Sequence, residues 1–386
     1  MPGRSYAEPL LLFTVFVDFT GFGILFPVLP FLSTSLGASA QEVTLVIAAG
    51  AACQVIAAPL WGRASDRFGR RPILILTLFG GAIAYFTFAI ASTLAMVFLS
   101  RALTGAMGAI VPVTQAWMAD VTEPKARAAA MGRISAATGL GFVIGPALGG
   151  ILSELEPGRP DYALPCLFAG ALAALAGLLA LLFLAEPVRH EAGRPARPTG
   201  SARQAFLPLL LMVFAVTFAF SGVLSIFPLW LKARFNYGAF EVGYGYALIG
   251  VASTVCQFWL VAPLVRRFGE RRVLLSGSLV YAAGLALTPL SDTLPPLLVL
   301  ALAVTFAVAL CQTTLLSLIS RRADAATQGA ALGAAGSAQS AARVFGPTSS
   351  GFTFGSIHHD APFESGALVA LAVAAASFLA AKGERR

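Results

Sequence analysis

Gly62-Arg63-Ala64-Ser65-Asp66-Arg67-Phe68-Gly69-Arg70-Arg71 is a short run of turn and charge set between two long apolar stretches, residues 42–62 and 73–91. A spanning helix needs roughly 20 apolar residues to match a hydrocarbon core about 30 Å thick. Reading this stretch as a loop therefore turns its neighbours into membrane spans. The same rhythm runs outward in both directions. Residues 10–32, 42–62, 73–91, 94–118, 128–153 and 162–185 form one set of six spans. Residues 207–231, 241–265, 273–290, 294–319, 329–354 and 364–381 form a second. The first span follows the acidic Glu8 and contains Asp18, Pro27 and Pro30, so it reads as a mature helix and not as a secretory leader.

Composition agrees with lipid as the main solvent. The 386 residues are 58% hydrophobic and 11% charged, with a mean hydropathy of +0.81, whereas soluble domains carry about a quarter charged residues. A net charge of +8 raises the question of a nucleic-acid partner, but the positive charges follow topology instead. With the N-terminus inside, 21 of the 26 Lys and Arg fall on inner loops and tails, and only Arg159, Lys232 and Arg234 fall outside. The positive-inside rule then puts both termini in the cytoplasm. Cys53, Cys166, Cys256 and Cys311 all lie in apolar spans without a CxxC pair or a His cluster, which implies neither a disulfide nor a metal site.

Residues 186–206, EPVRHEAGRPARPTGSARQAF, are the longest polar run and read as an inner linker between a bundle of residues 1–185 and a bundle of residues 207–386. The halves also repeat. Arg67-Phe68-Gly69-Arg70-Arg71 returns as Arg267-Phe268-Gly269-Glu270-Arg271, Gly145-Pro146 as Gly346-Pro347, and Cys53-Gln54 before Pro59 as Cys256-Gln257 before Pro263. Internal repeats of this kind are how many secondary transporters place a substrate site near the membrane midplane.

Within the quoted loop, Gly62 and Gly69 are expected to permit tight turns, Asp66 to accept bonds from Arg67 or Arg70, and Asp120 to be a second acceptor. A second pattern, Gly139-Leu-Gly141-Phe-Val-Ile-Gly145-Pro146-Ala-Leu-Gly149-Gly150, sets small residues at helical spacing, so helices can approach closely, and adds a proline bend. A third is Arg101, inside a span where a charge is costly and calls for a partner. Of the 18 Asp and Glu only Asp18 lies well inside a span. Counted along their helices at 1.5 Å per residue, Asp18 and Arg101 differ in depth by under about 10 Å.

These patterns resemble the major facilitator superfamily, and residues 10–150 look most like its twelve-helix drug:proton antiporters, the family that includes the bacterial tetracycline exporters. The resemblance covers nearly the whole chain. It implies an all-α membrane protein of twelve transmembrane helices in two pseudo-symmetric six-helix bundles. It further implies that the Gly62–Arg71 cluster latches the outward-open state at the inner face, and that the Gly139–Gly150 pattern marks an exporter. Asp18 is then the expected proton carrier, alternating between a neutral form and a charged form matched by Arg101 or by a cationic substrate. The sequence departs from the tetracycline exporters at Ala84, where they carry an acidic residue, so a lipophilic, neutral or singly cationic substrate fits better than a metal chelate.

Gln54, Gln115, Gln257, Gln312 and Gln339, with Arg343, are candidates to line the cavity, although membrane glutamines also serve as interhelical glue. Arg343 either faces an anionic group or pairs with backbone carbonyls. The expected partners are a small-molecule substrate, protons and the bilayer of a bacterial inner membrane, with no nucleic acid and the protein acting as a monomer. No cofactor is expected, a proton gradient being the driving force. The alternatives are a proton-coupled importer, or a non-transporting or lipid-translocating protein on the same scaffold. An enzyme is not indicated, since His190, His358 and His359 lie in loops away from any nucleophile.

Overall fold

The computed structural model describes residues 4–123, 126–156, 159–187, 200–323 and 328–383, and these are built of helices and their connections without strands. In the first half the helices are α1 (Arg4–Ser35), α2 (Ala40–Phe68), α3 (Arg70–Ala89), α4 (Leu94–Ala106), α5 (Ile110–Val121), α6 (Arg127–Ser153) and α7 (Ala163–Phe183). The second half has α8 (Gly200–Phe235), α9 (Ala239–Cys256), α10 (Ala262–Phe268), α11 (Glu270–Leu287), α12 (Leu294–Arg322), α13 (Gln328–Ser356) and α14 (Ala361–Gly383). Two of the long rods are broken, α4 with α5 making one and α9 with α10 the other, so the described residues form twelve.

Each break has a chemical cause. Between α4 and α5 the chain loosens at Met107–Ala109, and the Ala106 carbonyl freed there accepts a hydrogen bond from Trp61 Nε1 of α2 at 2.5 Å. Between α9 and α10 a π turn over Gln257–Val261 precedes Pro263, which has no N–H to continue the helical ladder.

By length and composition ten of these passes can cross a membrane, and the bent α9–α10 pair makes eleven. The twelfth, α13, is long enough at 29 residues but rich in Gly, Ala, Ser and Gln. A Cβ built at its Gly329, Gly333 or Gly336 would meet nothing within 4 Å. Large apolar side chains stand on the surface of the other passes, with Ile83, Phe183, Leu182, Leu368 and Leu379 each more than half exposed. A soluble protein rarely shows such continuous apolar area, whereas acyl chains solvate it without cost.

The helices gather into two compact units, Met1–Ala192 with Leu231–Gly250, and Gly193–Trp230 with Val251–Arg386. Each repeats the other's packing. In the first unit α3 lies along α7, and in the second α11 lies along α14. Gly145 of α6 meets α1 so closely that a Cβ there would stand 2.5 Å from Thr20 O and 2.8 Å from Gly23 Cα. In the second unit a Cβ on Gly346 of α13 would stand 2.5 Å from Phe218 O and 3.0 Å from Gly222 N of α8. The glycine pair that sequence comparison aligned thus performs one task twice.

Gly145→Val is accordingly expected to destabilise the protein by about 1–3 kcal/mol through overpacking. Gly139→Val, at a position with nothing within 4 Å, should change stability by no more than about 0.5 kcal/mol. Thermal unfolding of the two purified variants in detergent checks the contrast.

The quoted loop is shorter than the sequence suggests. Helix α2 continues through Gly62 to Phe68, so Gly62 sits inside a helix and supports no turn; only Gly69, with φ 107°, breaks the chain. Polar residues 63–68 stay helical because Asp66 and Arg70 are spaced to pair across the break (2.8 Å). Gly269, with φ 79°, makes the equivalent break before α11. In the second unit the turn His358–Asp360 is structural: Asp360 accepts Trp230 Nε1 at 2.6 Å, and His359 stacks on Phe354.

Candidate functional site

Asp18 sits midway along α1, half-buried, on a face made largely of phenylalanine. Phe13, Phe16, Phe19, Phe22 and Phe26 share that half-buried face, and neighbouring rings touch from Phe13 to Phe16 (6.5 Å), Phe19 to Phe22 (6.2 Å) and Phe22 to Phe26 (5.1 Å). Phe26 in turn meets Phe142 of α6 at 5.6 Å and Tyr246 of α9 at 5.8 Å, all within the first unit. At the start of α1 the row opens into a groove of about 400 Å³ lined by Leu12, Phe13 and Phe16 with Ala136, Ala137 and Leu140 of α6. At its mouth Arg133 pairs with Glu8. Aromatic rings thus stand along α1 on either side of Asp18, a Phe13–Phe16 pair at the groove and a Phe19–Phe22–Phe26 run beyond it.

The α6 pattern builds the other side of this surface. Gly141, Gly145 and Gly149 face α1, where Cβ atoms would stand 2.6 Å from Phe16 O, 2.5 Å from Thr20 O and 2.5 Å from Ile24 O. Gly150 turns to α9, 3.0 Å from the carbonyls of Ala239 and Phe240, and Pro146 packs on Gly23 and Gly243. Gly139 makes no close approach.

Arg101, in α4, is 93% buried by its 7% exposure, and its Nε and Nη1 have no hydrogen-bond partner among the described residues. Its guanidinium lies 6.0 Å from the Phe22 ring and packs on Gly50 of α2. Asp18 and Arg101 form no ion pair with each other. Tyr85 of α3 lies within electrostatic reach of both. Sequence reading passed over Tyr85; its only signal is Gly21, one turn beyond Asp18, whose missing Cβ leaves room for the Tyr85 hydroxyl. Ala84, next to it, is fully buried, and its carbonyl accepts Ser100 Oγ at 2.8 Å.

A second cluster surrounds Arg70. Its guanidinium binds Asp66 Oδ1 at 2.8 Å, Asp120 Oδ2 at 3.2 Å and Ser65 Oγ at 2.6 Å. Arg70 and Asp120 are 12% and 15% exposed, Asp66 68%. Arg67 stays outside the cluster, over the Phe68 ring. The residue missed here is Glu186, just past α7. Its two carboxylate oxygens accept the backbone N–H groups of Arg70 (2.5 Å) and Arg71 (2.9 Å), filling the space that Gly69 leaves. Arg71 also reaches Leu181 O at 2.6 Å. Glu186→Ala should remove this cap at a cost of about 0.5–2 kcal/mol. Faster amide hydrogen exchange at the first turn of α3 is the measurement that checks it.

The repeat of this cluster in the second unit has its charges exchanged. Glu270, at the start of α11, accepts Ser317 Oγ at 2.5 Å and pairs with Arg321 at 3.4 Å. An Arg–Asp pair ties the third helix to the fourth in one unit, and a Glu–Arg pair does so in the other.

The remaining candidates are scattered. Gln54 is exposed beside Gly108 at the α4–α5 break, Gln115 is exposed, and Gln312 and Gln339 are half-buried. The side chain of Gln257 lies outside the described residues. Arg343 projects from α13 without an ion pair or hydrogen bond among the described residues. No group of three or more His, Cys, Asp or Glu able to hold a metal occurs among the described residues.

The sequence matches the family profile described as Major Facilitator Superfamily over residues 11–347 and 209–384. Multidrug resistance protein 1 of Bacillus subtilis (strain 168) is 33% identical over 293 residues, 73% of this chain and 74% of that protein. Tetracycline resistance protein, class B, of Escherichia coli is 30% identical over 288 residues, 70% of this chain and 69% of that one. Among solved structures, a bacterial homolog of the human lysosomal transporter Spinster superposes with a TM-score of 0.82 at 18% identity, covering 99% of this chain and 97% of its own. The human organic anion transporter MFSD10 (TETRAN) gives 0.71 at 24% identity, covering 98% and 100%.

Proposed function

Because the chain belongs to the Major Facilitator Superfamily, and so is a multi-pass membrane transporter of small molecules and not an enzyme, we propose that it exports lipophilic or singly cationic compounds in exchange for protons. In this reading it works as a monomer in a bacterial inner membrane with both termini inside, and needs no cofactor. Two six-helix halves, residues 1–185 and 207–386, alternate about the linker 186–206. The observation that carries the reading is Asp18: a mid-span carboxyl on an aromatic face, free of any ion pair among the described residues. A carboxyl held by a fixed cation would stay charged, whereas one without a partner can gain and lose a proton as its surroundings change.

Support for the substrate class comes from the wall around it. Phenylalanine and tyrosine faces attract planar apolar molecules and cations alike. The position where tetracycline exporters carry an acid is here Ala84, buried in the α3–α4 seam, which disfavours a metal chelate. Direction is supported by the α6 glycine–proline pattern and by the resistance relatives. Everted membrane vesicles given a respiratory substrate and ethidium test it: uptake that an uncoupler collapses is expected, and uptake indifferent to the uncoupler counts against proton exchange.

A further inference from the structure

Tyr85 is 4% exposed and enters the first unit from α3. A Cβ on Gly21 of α1 would stand 2.6 Å from its hydroxyl oxygen, so the phenol lies against α1 one turn past Asp18. On its other side Ser100 Oγ bonds Ala84 O at 2.8 Å, fastening α4 to α3 at the residues that immediately flank Arg101 and Tyr85. The phenol is within electrostatic reach of both the Asp18 carboxyl and the Arg101 guanidinium. In this structure none of the three bonds another, and two guanidinium nitrogens remain buried without partners.

We propose that Tyr85 is a positioning residue that joins Arg101 to Asp18. When Asp18 is charged, Arg101 donates an N–H to the Tyr85 oxygen, and the Tyr85 hydroxyl donates its hydrogen to the carboxylate. When a proton from the water phase binds Asp18, the carboxyl becomes neutral, the chain opens, and Tyr85 keeps its own hydrogen throughout. The physical advantage is graded strength. A direct Arg–Asp contact would hold the acid charged, whereas a neutral donor strengthened by polarisation supports the charged form and still lets it go. The inference rests on reading Asp18 as the proton carrier.

The other titratable or charged groups on the helices around Asp18 stand farther off or act differently. Cys166 of α7 is fully buried and makes no hydrogen bond to Asp18. Cys53 of α2 lies beside Gly105. Glu8 on α1 is ten residues away, about 15 Å along the helix. Glu42, Arg70 and Asp120 sit in the terminal turns of α2, α3 and α5, and Arg133, in the second turn of α6, is held by Glu8.

The test is Tyr85→Phe, which keeps the ring and removes the hydroxyl, reconstituted in liposomes with ethidium as the probe. Transport driven by a pH gradient should fall about tenfold, as expected for one charge-assisted hydrogen bond. Its pH profile should move to higher pH, because losing a donor to the charged form means the proton is released only there. Substrate counterflow without a gradient should stay within about twofold of wild type, given that ΔpH-dependent steps are bypassed. Gly21→Ala, which leaves Tyr85 in place and pushes its hydroxyl aside, should reproduce the shift. A Tyr85→Phe profile that overlays the wild type, equal losses in both assays, or a Gly21→Ala profile like the wild type overturns the inference. Asp18→Asn run alongside separates the two readings. If it loses gradient-driven transport while Tyr85→Phe does not, only the Tyr85 inference fails; if Asp18→Asn stays coupled, both fail.

Discussion

Asp18→Asn is expected to abolish transport driven by a pH gradient, a loss of at least about tenfold or 1.4 kcal/mol in the coupled step, while the protein stays folded. The expectation of an intact fold follows from geometry. Asp18 makes no hydrogen bond or ion pair among the described residues, so an amide of the same shape leaves no buried partner stranded, and stranding is what makes polar substitutions costly. What the amide lacks is a site for a proton in the pH range of the cell. Ethidium uptake into everted vesicles, with the melting temperature of the purified variant beside it, reads both halves of the expectation. Undiminished uncoupler-sensitive transport by Asp18→Asn would remove Asp18 from the mechanism.

Arg70→Ala is expected to have the next largest effect. Among the described residues Arg70 is the one cation in contact with Asp120, which is 15% exposed, so its removal leaves a mostly buried carboxylate unpaired. Such a loss costs about 1–3 kcal/mol, more for charged groups, and in a transporter it should lower both thermal stability and transport rate. Asp66→Asn tests the assignment by contrast. Asp66 is 68% exposed, and a solvated pair contributes no more than about 1 kcal/mol, so this variant should be close to wild type. The double exchange Arg70→Asp with Asp120→Arg should recover part of the loss in Arg70→Ala. Equal impairment by Asp66→Asn and Arg70→Ala would show that the cluster does not act through Asp120.

Much of the fold was legible because lipid reads a sequence with one rule. The run 162–185 corresponds to α7 at Ala163–Phe183, and 364–381 to α14 at Ala361–Gly383, since charge and turn residues stop apolar helices at both ends. The rule failed where tertiary partners decide. The span 94–118 is two helices, broken beside Gly108 and four residues before Pro112, and the partner that takes up the Ala106 carbonyl there, Trp61 of α2, lies outside the span. Gly62 looked like a turn residue but lies inside α2, since the charges after it pair across the next glycine.

The site was legible where its chemistry is unusual for its surroundings. Asp18 and Arg101 stand out as charges in lipid, and Arg70 with Asp120 as a basic cluster facing an acid. Tyr85 was not legible, because an aromatic residue in a membrane helix is ordinary; its position opposite Gly21 exists only once α1 and α3 meet. Glu186 was hidden for a similar reason, being the first residue of a polar linker whose carboxylate gains meaning only at the start of α3. The phenylalanine face of α1 was present in the spacing of Phe19, Phe22 and Phe26 but reads equally as packing.

The exchanged polarity of the Arg70–Asp120 and Glu270–Arg321 pairs bears on how the chain assembles after insertion. Twelve similar hydrophobic rods offer many wrong neighbours, and the third rod of one half is shaped much like the third of the other. If α3 settled against α12, Arg70 would face Arg321; if α11 settled against α5, Glu270 would face Asp120. Each wrong docking brings like charges together and each right one brings opposites together, so the swap of sign gives the third and fourth rods of each half an address.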